Sequence, residues 1–189
     1  MAVVELRDRE EIARLCRRSP AVHAYELGDL DDFFWPHTRW FAWDGGRGPS
    51  QLVLLYAEHE LPVLVALPEP PREEARDLLR SLLPTLPERV YAHVGADALP
   101  ALEARYTPAA AAEPHLKMGL ADPGLLPRET GDVAVLTPGS LPEIEAFYAA
   151  AYPGTWFAPR MLETGRYVGL RDARGLACVA GVHVWSPRW

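Results

Sequence analysis

The sequence predicts an α/β protein of the α+β type, with a mixed, mostly antiparallel sheet flanked by helices. Short apolar runs are joined by hairpin-length turns, which indicates antiparallel strands. Amphipathic helical patterns lie between groups of these strands. The same order of elements then occurs a second time, which predicts one complete N-terminal lobe and the first half of a second.

The first copy begins with a strand at residues 3–6 and a helix that starts at Asp8. Asp8 stands three residues before Glu11, a spacing similar to a capping box. Ile12, Leu15 and Cys16 give this helix one apolar face. A short second helix is predicted at residues 23–30. The rest of the lobe is predicted as strands at 39–44, 52–57, 62–67, 90–94 and 115–120 and helices at 72–83 and 98–105.

The second copy repeats this order from residue 133. A strand at 133–136 is followed by Ser140 and Glu143, which have the spacing of a capping box. Ile144, Phe147, Tyr148 and Ala151 continue one helical face. A short helix at 158–163 and a hairpin of strands 166–172 and 176–184 complete the copy. The predicted domains are therefore 1–121, a linker at 122–131, and 132–189, and we expect the second lobe to be truncated.

Composition narrows the functional classes. The net charge of −7 argues against a nucleic-acid partner, because no basic stripe is available to neutralise phosphates. No apolar run is long enough to cross a membrane, and the early charges do not fit a secretory signal. Two cysteines, Cys16 and Cys178, form no disulfide framework, so we expect a cytoplasmic protein. The histidines lack metal-ligand spacing, and no metal site is predicted.

The chain resembles the GNAT superfamily of acyl-CoA-dependent N-acyltransferases, as a two-lobed bacterial member with a degenerate first lobe. Four segments carry the resemblance: residues 24–31, 34–40, 147–154 and 180–187. The resemblance implies a GNAT-like sheet and direct acetyl transfer from acetyl-CoA, the cosubstrate, to a primary amine. The acceptor would be a small molecule or a peptide.

The family's phosphate-binding loop has the pattern Arg/Gln-x-x-Gly-x-Gly/Ala between the fourth strand and the next helix. Its backbone amides hold a pyrophosphate at the helix N-terminus. At that position the first lobe has residues 67–74, with three prolines, no glycine and several carboxylates. In the second lobe the loop would fall beyond Trp189. We therefore expect no cofactor-binding residue in this chain, and no activity by the chain alone.

The resemblance also supplies candidate site residues. Tyr148, Tyr152, Trp156 and Phe157 would line an acceptor pocket, although Tyr148 and Phe157 would equally suit a hydrophobic core and Trp156 a cap on it. His183 shares a strand face with Val179, Gly181 and Trp185 by alternation, where it would act catalytically by relaying a proton from an ammonium substrate. A histidine there would also serve simply to satisfy a backbone group.

Two functions follow from these observations. The first is a GNAT-type N-acetyltransferase. The second is a non-catalytic binding or assembly module whose open sheet edge, after Trp185, pairs with another chain to give a homodimer.

Overall fold

The structure is a computed structural model that describes residues 2–58, 60–111, 114–126 and 133–189. The chain divides into two compact units. The first comprises Met1–Gly119 together with Ser186–Trp189, and the second is Leu120–Trp185. Part of the predicted linker, residues 127–131, lies outside the described residues.

The first unit is built on a five-stranded sheet in which the strands lie in chain order. Neighbouring strands are antiparallel except for the last pair, which is parallel. This mixed, mostly antiparallel sheet confirms the predicted fold class. The strands are β1 (Ala2–Leu6), β2 (Thr38–Asp44), β3 (Pro49–Tyr56), β4 (Val63–Ala66) and β5 (Tyr91–Val94).

Helices cover both faces of this sheet. On one side, α1 (Arg9–Cys16) packs with Leu30, Trp40 and Leu54 into a buried cluster. On the other side, α3 (Arg72–Leu82) and α4 (Leu99–Leu102) pack against residues such as Phe41. The short α2 (Ala24–Gly28) precedes β2. Alternation along β2 and β3 sends successive side chains to opposite cores, which is why both strands are almost continuously apolar.

The two longer helices form for the reasons that the sequence indicates. The Asp8 side chain accepts hydrogen bonds from the backbone N–H groups of Glu10 and Glu11, a cap that stabilises a helix by about 1 kcal/mol. Ile12 and Cys16 are fully buried, as predicted. In α3 the buried positions Ala75, Leu78, Leu79 and Leu82 recur at helical spacing.

The last four residues of the chain belong to the first unit. The Ser186 hydroxyl donates to Asp31 Oδ2 over 2.9 Å, and the Arg188 guanidinium pairs with Glu10 Oε1 at 2.9 Å. Trp189 packs against the core on the α1 side, with the Arg17 guanidinium 5.6 Å from its ring centroid. Apolar and polar contacts thus hold this C-terminal segment against the rest of the first unit.

The second unit has a three-stranded antiparallel sheet, also in chain order. Its strands are β6 (Ala134–Leu136), β7 (Tyr167–Asp172) and β8 (Gly175–Ala180). Between β6 and β7 lie α5 (Leu141–Ala151) and the 3₁₀ helix Pro159–Thr164. The order strand, helix, short helix, two strands therefore occurs in both units, as the repeat predicts.

One hydrophobic cluster holds the second unit together. Its buried members are Leu136, Ile144, Met161, Leu162 and Tyr167. The opposite side of the sheet is open to solvent: Val135 is 60% exposed and Leu170 is 41% exposed. The sheet of this unit therefore has one buried face.

The predicted strand at 176–184 is too long, because β8 ends at Ala180. Ala180 pairs with Val168, one residue after the start of β7. Gly165, with φ of 66°, turns the chain away just before that start, so no continuous partner strand remains. His183 consequently lies at a bend after β8 and not on a strand face.

Two further expectations are wrong in detail. Residues 115–120 form no strand: Leu116 and Met118 are 86% and 90% exposed, and the segment is held by Lys117, which contacts the α2 side of the unit. Helix 98–105 shortens to α4, and a turn follows it.

The predicted capping box of α5 does not form either. The Ser140 hydroxyl accepts a hydrogen bond from the Thr137 N–H at 3.2 Å. Glu143 instead makes a bidentate ion pair with Arg171 on β7: the Nε–Oε1 distance is 3.1 Å and the Nη2–Oε2 distance is 2.7 Å. Ser140 thus forms a capping box with Thr137 on the preceding 3₁₀ turn, Pro138–Ser140, and Glu143 is engaged by Arg171.

Candidate functional site

An open cleft of about 220 Å³ lies in the second unit, beside the C-terminal half of α5. The helix places Glu145, Tyr148, Ala149 and Tyr152 along one side, because residues three and four apart share a helical face. The other side comes from the turn that follows. Its lining residues are Pro153, Gly154, Thr155, Phe157 and Pro159.

The turn is shaped by the way α5 ends. The Tyr152 N–H closes the last helical turn on the Tyr148 carbonyl at 2.9 Å. Pro153 cannot continue the helix, and Gly154 has φ of 84°, a conformation that favours glycine. The Thr155 N–H then donates to the Tyr152 carbonyl over 3.2 Å. This reversal brings Phe157 back against the helix.

Aromatic rings form the floor of the cleft. The Tyr148 and Phe157 ring centroids are 5.3 Å apart at an interplanar angle of 44°, and Phe157 meets Tyr167 edge to face at 5.7 Å. Desolvation raises the pKa of the Tyr148 hydroxyl, and it raises that of Tyr167 to about 12 with a contribution from Tyr148. Both hydroxyls remain protonated at neutral pH. The Tyr148 hydroxyl is thus a hydrogen-bond donor at the edge of an apolar wall.

Three of the four predicted acceptor-pocket residues line this cleft: Tyr148, Tyr152 and Phe157. Tyr148 and Phe157 also pack against the buried cluster of the unit, so the core and pocket interpretations of these two residues both hold. Trp156 is 38% exposed and is not among the lining residues. Sequence reasoning missed Glu145, which stands one helical turn before Tyr148.

His183 does not join these residues. It is exposed and does not line the cleft. The protein around it still desolvates the ring enough to lower its pKa below the ordinary value of 6.5, which favours the neutral imidazole.

In the first unit, the loop between β4 and α3 stands where the resemblance would place a pyrophosphate. Pro68 packs so tightly against Gly95 that a Cβ there would lie 2.6 Å from the proline Cδ. The Gly95 N–H donates to the Ala66 carbonyl at 3.0 Å, so β4 and β5 stay joined at their carboxyl ends. No gap for a ligand opens between these two strands.

Three backbone groups of this loop are paired with the side chain of Gln51. Gln51, which is 3% exposed, donates from Nε2 to the Glu69 carbonyl at 2.8 Å and to the Pro71 carbonyl at 3.3 Å. Its Oε1 accepts from the Glu69 N–H at 3.2 Å. Glu73 and Glu74 lie in the first turn of α3, where their charges oppose an anion. The residues present do not fit the pyrophosphate of coenzyme A.

A buried polar cluster in the first unit has no counterpart among the predicted site residues. The His23 Nδ1 lies 3.0 Å from Glu26 Oε1, and its Nε2 lies 3.9 Å from Glu69 Oε1. Both His23 and Glu26 are at least 95% buried. Burial, followed by the charge of Glu26, raises the pKa of the Asp29 carboxyl well above its ordinary value. The three-residue spacing of His23, Glu26 and Asp29 was the available sequence signal.

Comparisons of the chain with protein-family models, with curated proteins and with solved structures gave no match. Across the described residues, His, Cys, Asp and Glu side chains form no group of three or more that could hold a metal ion. Within those same ranges, no helix has both the length and the hydropathy needed to cross a bilayer.

Proposed function

We propose that the second unit binds an organic amine in the α5 cleft, as the acceptor side of an N-acyltransferase of the GNAT type. The observation that supports this is the composition of the cleft. Among its described lining residues, Glu145 is the one charged group, and it stands beside the rings of Tyr148 and Phe157. A carboxylate next to aromatic faces favours a cation with an apolar body.

The size of the cleft limits the ligand. Its volume of about 220 Å³ is below the range of roughly 300–1,000 Å³ that is typical of drug-sized sites. The site would therefore take a small amine or one side chain of a peptide. Direct transfer would require the amine to lose a proton before attack, with positioning supplying much of the rate.

The chain alone is proposed not to carry out the transfer. This follows from the chemistry of the β4–α3 loop, where the Glu69 N–H is bonded to Gln51, Pro68 fills the space beside Gly95, and the carboxylates of Glu73 and Glu74 repel an anion. Cys16 and Cys178 are both free thiols, which fits the cytoplasmic location that we propose with this activity.

Calorimetry with benzylamine and with the neutral analogue benzyl alcohol tests the proposal. We expect the amine to bind more tightly, and we expect E145Q to reduce that preference by up to about fivefold, the range of an exposed ion pair. E163Q removes an equal charge from an exposed position outside the lining and serves as the matched control. Equal affinities for the amine and the alcohol would contradict an amine site.

A parallel titration with acetyl-CoA tests the second part of the proposal. We expect no binding in the micromolar range. Micromolar binding by the chain would show that our interpretation of the β4–α3 loop is wrong, whatever the outcome of the amine titration.

A second candidate function is assembly through β8. This strand is the outer member of its sheet, and its residue Cys178 is exposed. An unpaired outer strand can accept a strand from a second copy. Because Cys16 is buried, a thiol cross-linker would report on Cys178 alone. Cross-linked dimers that disappear in C178S would support this function, whereas a strictly monomeric mass at all concentrations would contradict it.

A further inference from the structure

Lys117 is the single lysine of the chain, among 19 Lys and Arg residues. It lies on residues 114–119, called here the 114–119 strap, which directly precede Leu120, the first residue of the second unit. Its ammonium donates to the Val22 carbonyl, lies 3.8 Å from Glu26 Oε2 and sits 4.6 Å from the Tyr25 ring centroid. One cation therefore fastens the strap to α2 and to the residues just before it.

Lys117 is the charged partner of the second Glu26 oxygen, Oε2, whereas Oε1 lies beside His23. Glu26 is 2% exposed, and its Oε2 has no hydrogen-bond partner in the described structure. The groups that face it are His23 and Asp29, which flank α2, Cys16 from α1, and Lys117 from the strap. A carboxylate withdrawn from water is strongly destabilising when its counter-charge is removed. The ion pair consequently links the charge of Lys117 to the stability of the α2 region.

The same surroundings make the Lys117 amine chemically accessible. Its side chain is 33% exposed, and its neighbours Leu116 and Met118 are almost fully exposed, so a reagent can approach from solvent. Desolvation lowers the pKa of the ammonium, although Glu26 partly opposes the shift. More of the amine is therefore neutral, and nucleophilic, than for a lysine in water.

We propose that Lys117 is an acyl-modification site whose acylation releases the 114–119 strap from α2. In the reaction, the Nζ lone pair attacks the carbonyl carbon of an acyl thioester. An N–C bond forms, the C–S bond breaks, and the thiol leaves with the proton that Nζ loses. The product is an uncharged amide, which cannot balance the Glu26 carboxylate. This inference does not depend on amine binding in the second unit.

The direct test is to incubate the full chain with acetyl-CoA, to locate the modification by peptide mass mapping, and then to measure hydrogen exchange. We expect acetylation at Lys117 and at least tenfold faster exchange of the hydrogen-bonded amides of the α2 region, such as those of Leu27 and Asp29. K117R is the matched control: it retains the charge, should resist acetylation, and should keep slow exchange. An unmodified Lys117 after prolonged incubation would overturn the proposal, as would an acetylated chain with unchanged exchange.

Two further variants separate release of the strap from loss of the fold. K117Q should reproduce the fast exchange of the acetylated chain and should weaken the α2 region. In E26Q/K117Q the uncompensated charge of Glu26 is removed as well, so the α2 amides should regain their slow exchange even though Lys117 no longer holds the strap. If K117R exchanges as fast as K117Q, the charge does not hold the strap, and the proposal is refuted.

Discussion

Replacing Gln51 with methionine, Gln51→Met, is expected to loosen the β4–α3 loop while changing the volume of the core very little. Gln51 is 3% exposed, and its amide makes three hydrogen bonds to the backbone of Glu69 and Pro71. Methionine has a similar length and fills similar space, but it can neither donate to the carbonyls nor accept from the N–H with comparable strength. The substitution therefore isolates the contribution of the hydrogen bonds.

The size of the effect follows from the geometry. The bond to the Glu69 carbonyl is 2.8 Å long, and the other two are 3.2 and 3.3 Å. Each hydrogen bond contributes a net of about 0.5–1.5 kcal/mol, so the loss of three predicts a destabilisation of about 2–4 kcal/mol. The backbone groups that lose their partner lie beside a buried side chain, where water cannot readily replace the amide. This loss should appear in the free energy of unfolding of the first unit.

Native-state hydrogen exchange provides a local measurement. The amides of β3 and β4 should show a lower opening free energy in Q51M, whereas those of β7 and β8 in the second unit should not change. Ser50→Ala is the matched control: it removes a hydroxyl that lies 2.6 Å from Glu74 Oε2 and 3.3 Å from the Trp43 carbonyl, and it should cost about 1 kcal/mol. Neutral surface substitutions usually change the free energy of unfolding by less than about 0.5 kcal/mol. A Q51M protein whose free energy of unfolding differs from the parent's by no more than this would refute the reasoning.

Three further predictions concern the second unit. The hydrogen bond from Arg171 holds the pKa of Glu143 below 4.5. This pair should therefore stabilise the unit above pH 4.5, and the stabilisation should be lost as the pH falls through the lowered pKa. The urea midpoints of E143Q and the parent should differ at pH 6 and converge at strongly acidic pH. Gly165→Ala should cost about 1 kcal/mol in urea unfolding because φ is 66°, and G165N, which tolerates that conformation better, should cost less. Gly181→Ala would place a Cβ 2.3 Å from the Tyr167 ring and should cost about 1–3 kcal/mol, with Y167L added in the same chain relieving the clash.

Local patterns predicted most of the fold. Asp8 and the apolar face of α1 fixed the first helix, and alternating apolar residues fixed β2 and β3. The repeated order of elements predicted the three-stranded sheet of the second unit. These features depend on neighbours within a few residues, or on a pairing that a short hairpin enforces.

Features that depend on distant partners were missed. The end of β8 is set by where β7 begins, and the two residues of the predicted α5 capping box have other partners, Thr137 for Ser140 and Arg171 for Glu143. Residues 115–120 were predicted as a strand, but the pairing of Lys117 with Glu26, which is remote in sequence, holds the segment instead. Periodicity records which face of a segment is apolar and not which partner occupies the neighbouring position.

The same distinction applies to the candidate site. Tyr148, Tyr152 and Phe157 could be proposed from a resemblance and from their spacing along a helix, and the structure brings them to one cleft. Trp156 was predicted to line the same pocket and His183 to act catalytically from a strand face, but neither lines the cleft, because the chain reverses at Gly154 and β8 ends at Ala180. Glu145 was overlooked because a lone carboxylate on a helix carries no signal until its neighbours are known.

Because Ser186–Trp189 belong to the first unit, they restrict the conformational entropy that the second unit can gain when it unfolds. Both ends of Leu120–Trp185 are attached to the first unit, so local unfolding of this segment produces a closed loop and not a free tail. For a loop of this size, closure reduces the entropy of the unfolded segment at a free-energy cost of about 4 kcal/mol on the usual logarithmic scale. The unfolded second unit is disfavoured by that restriction for as long as Trp189 and Arg188 keep the tail in place, and a single backbone cut within the loop would remove it.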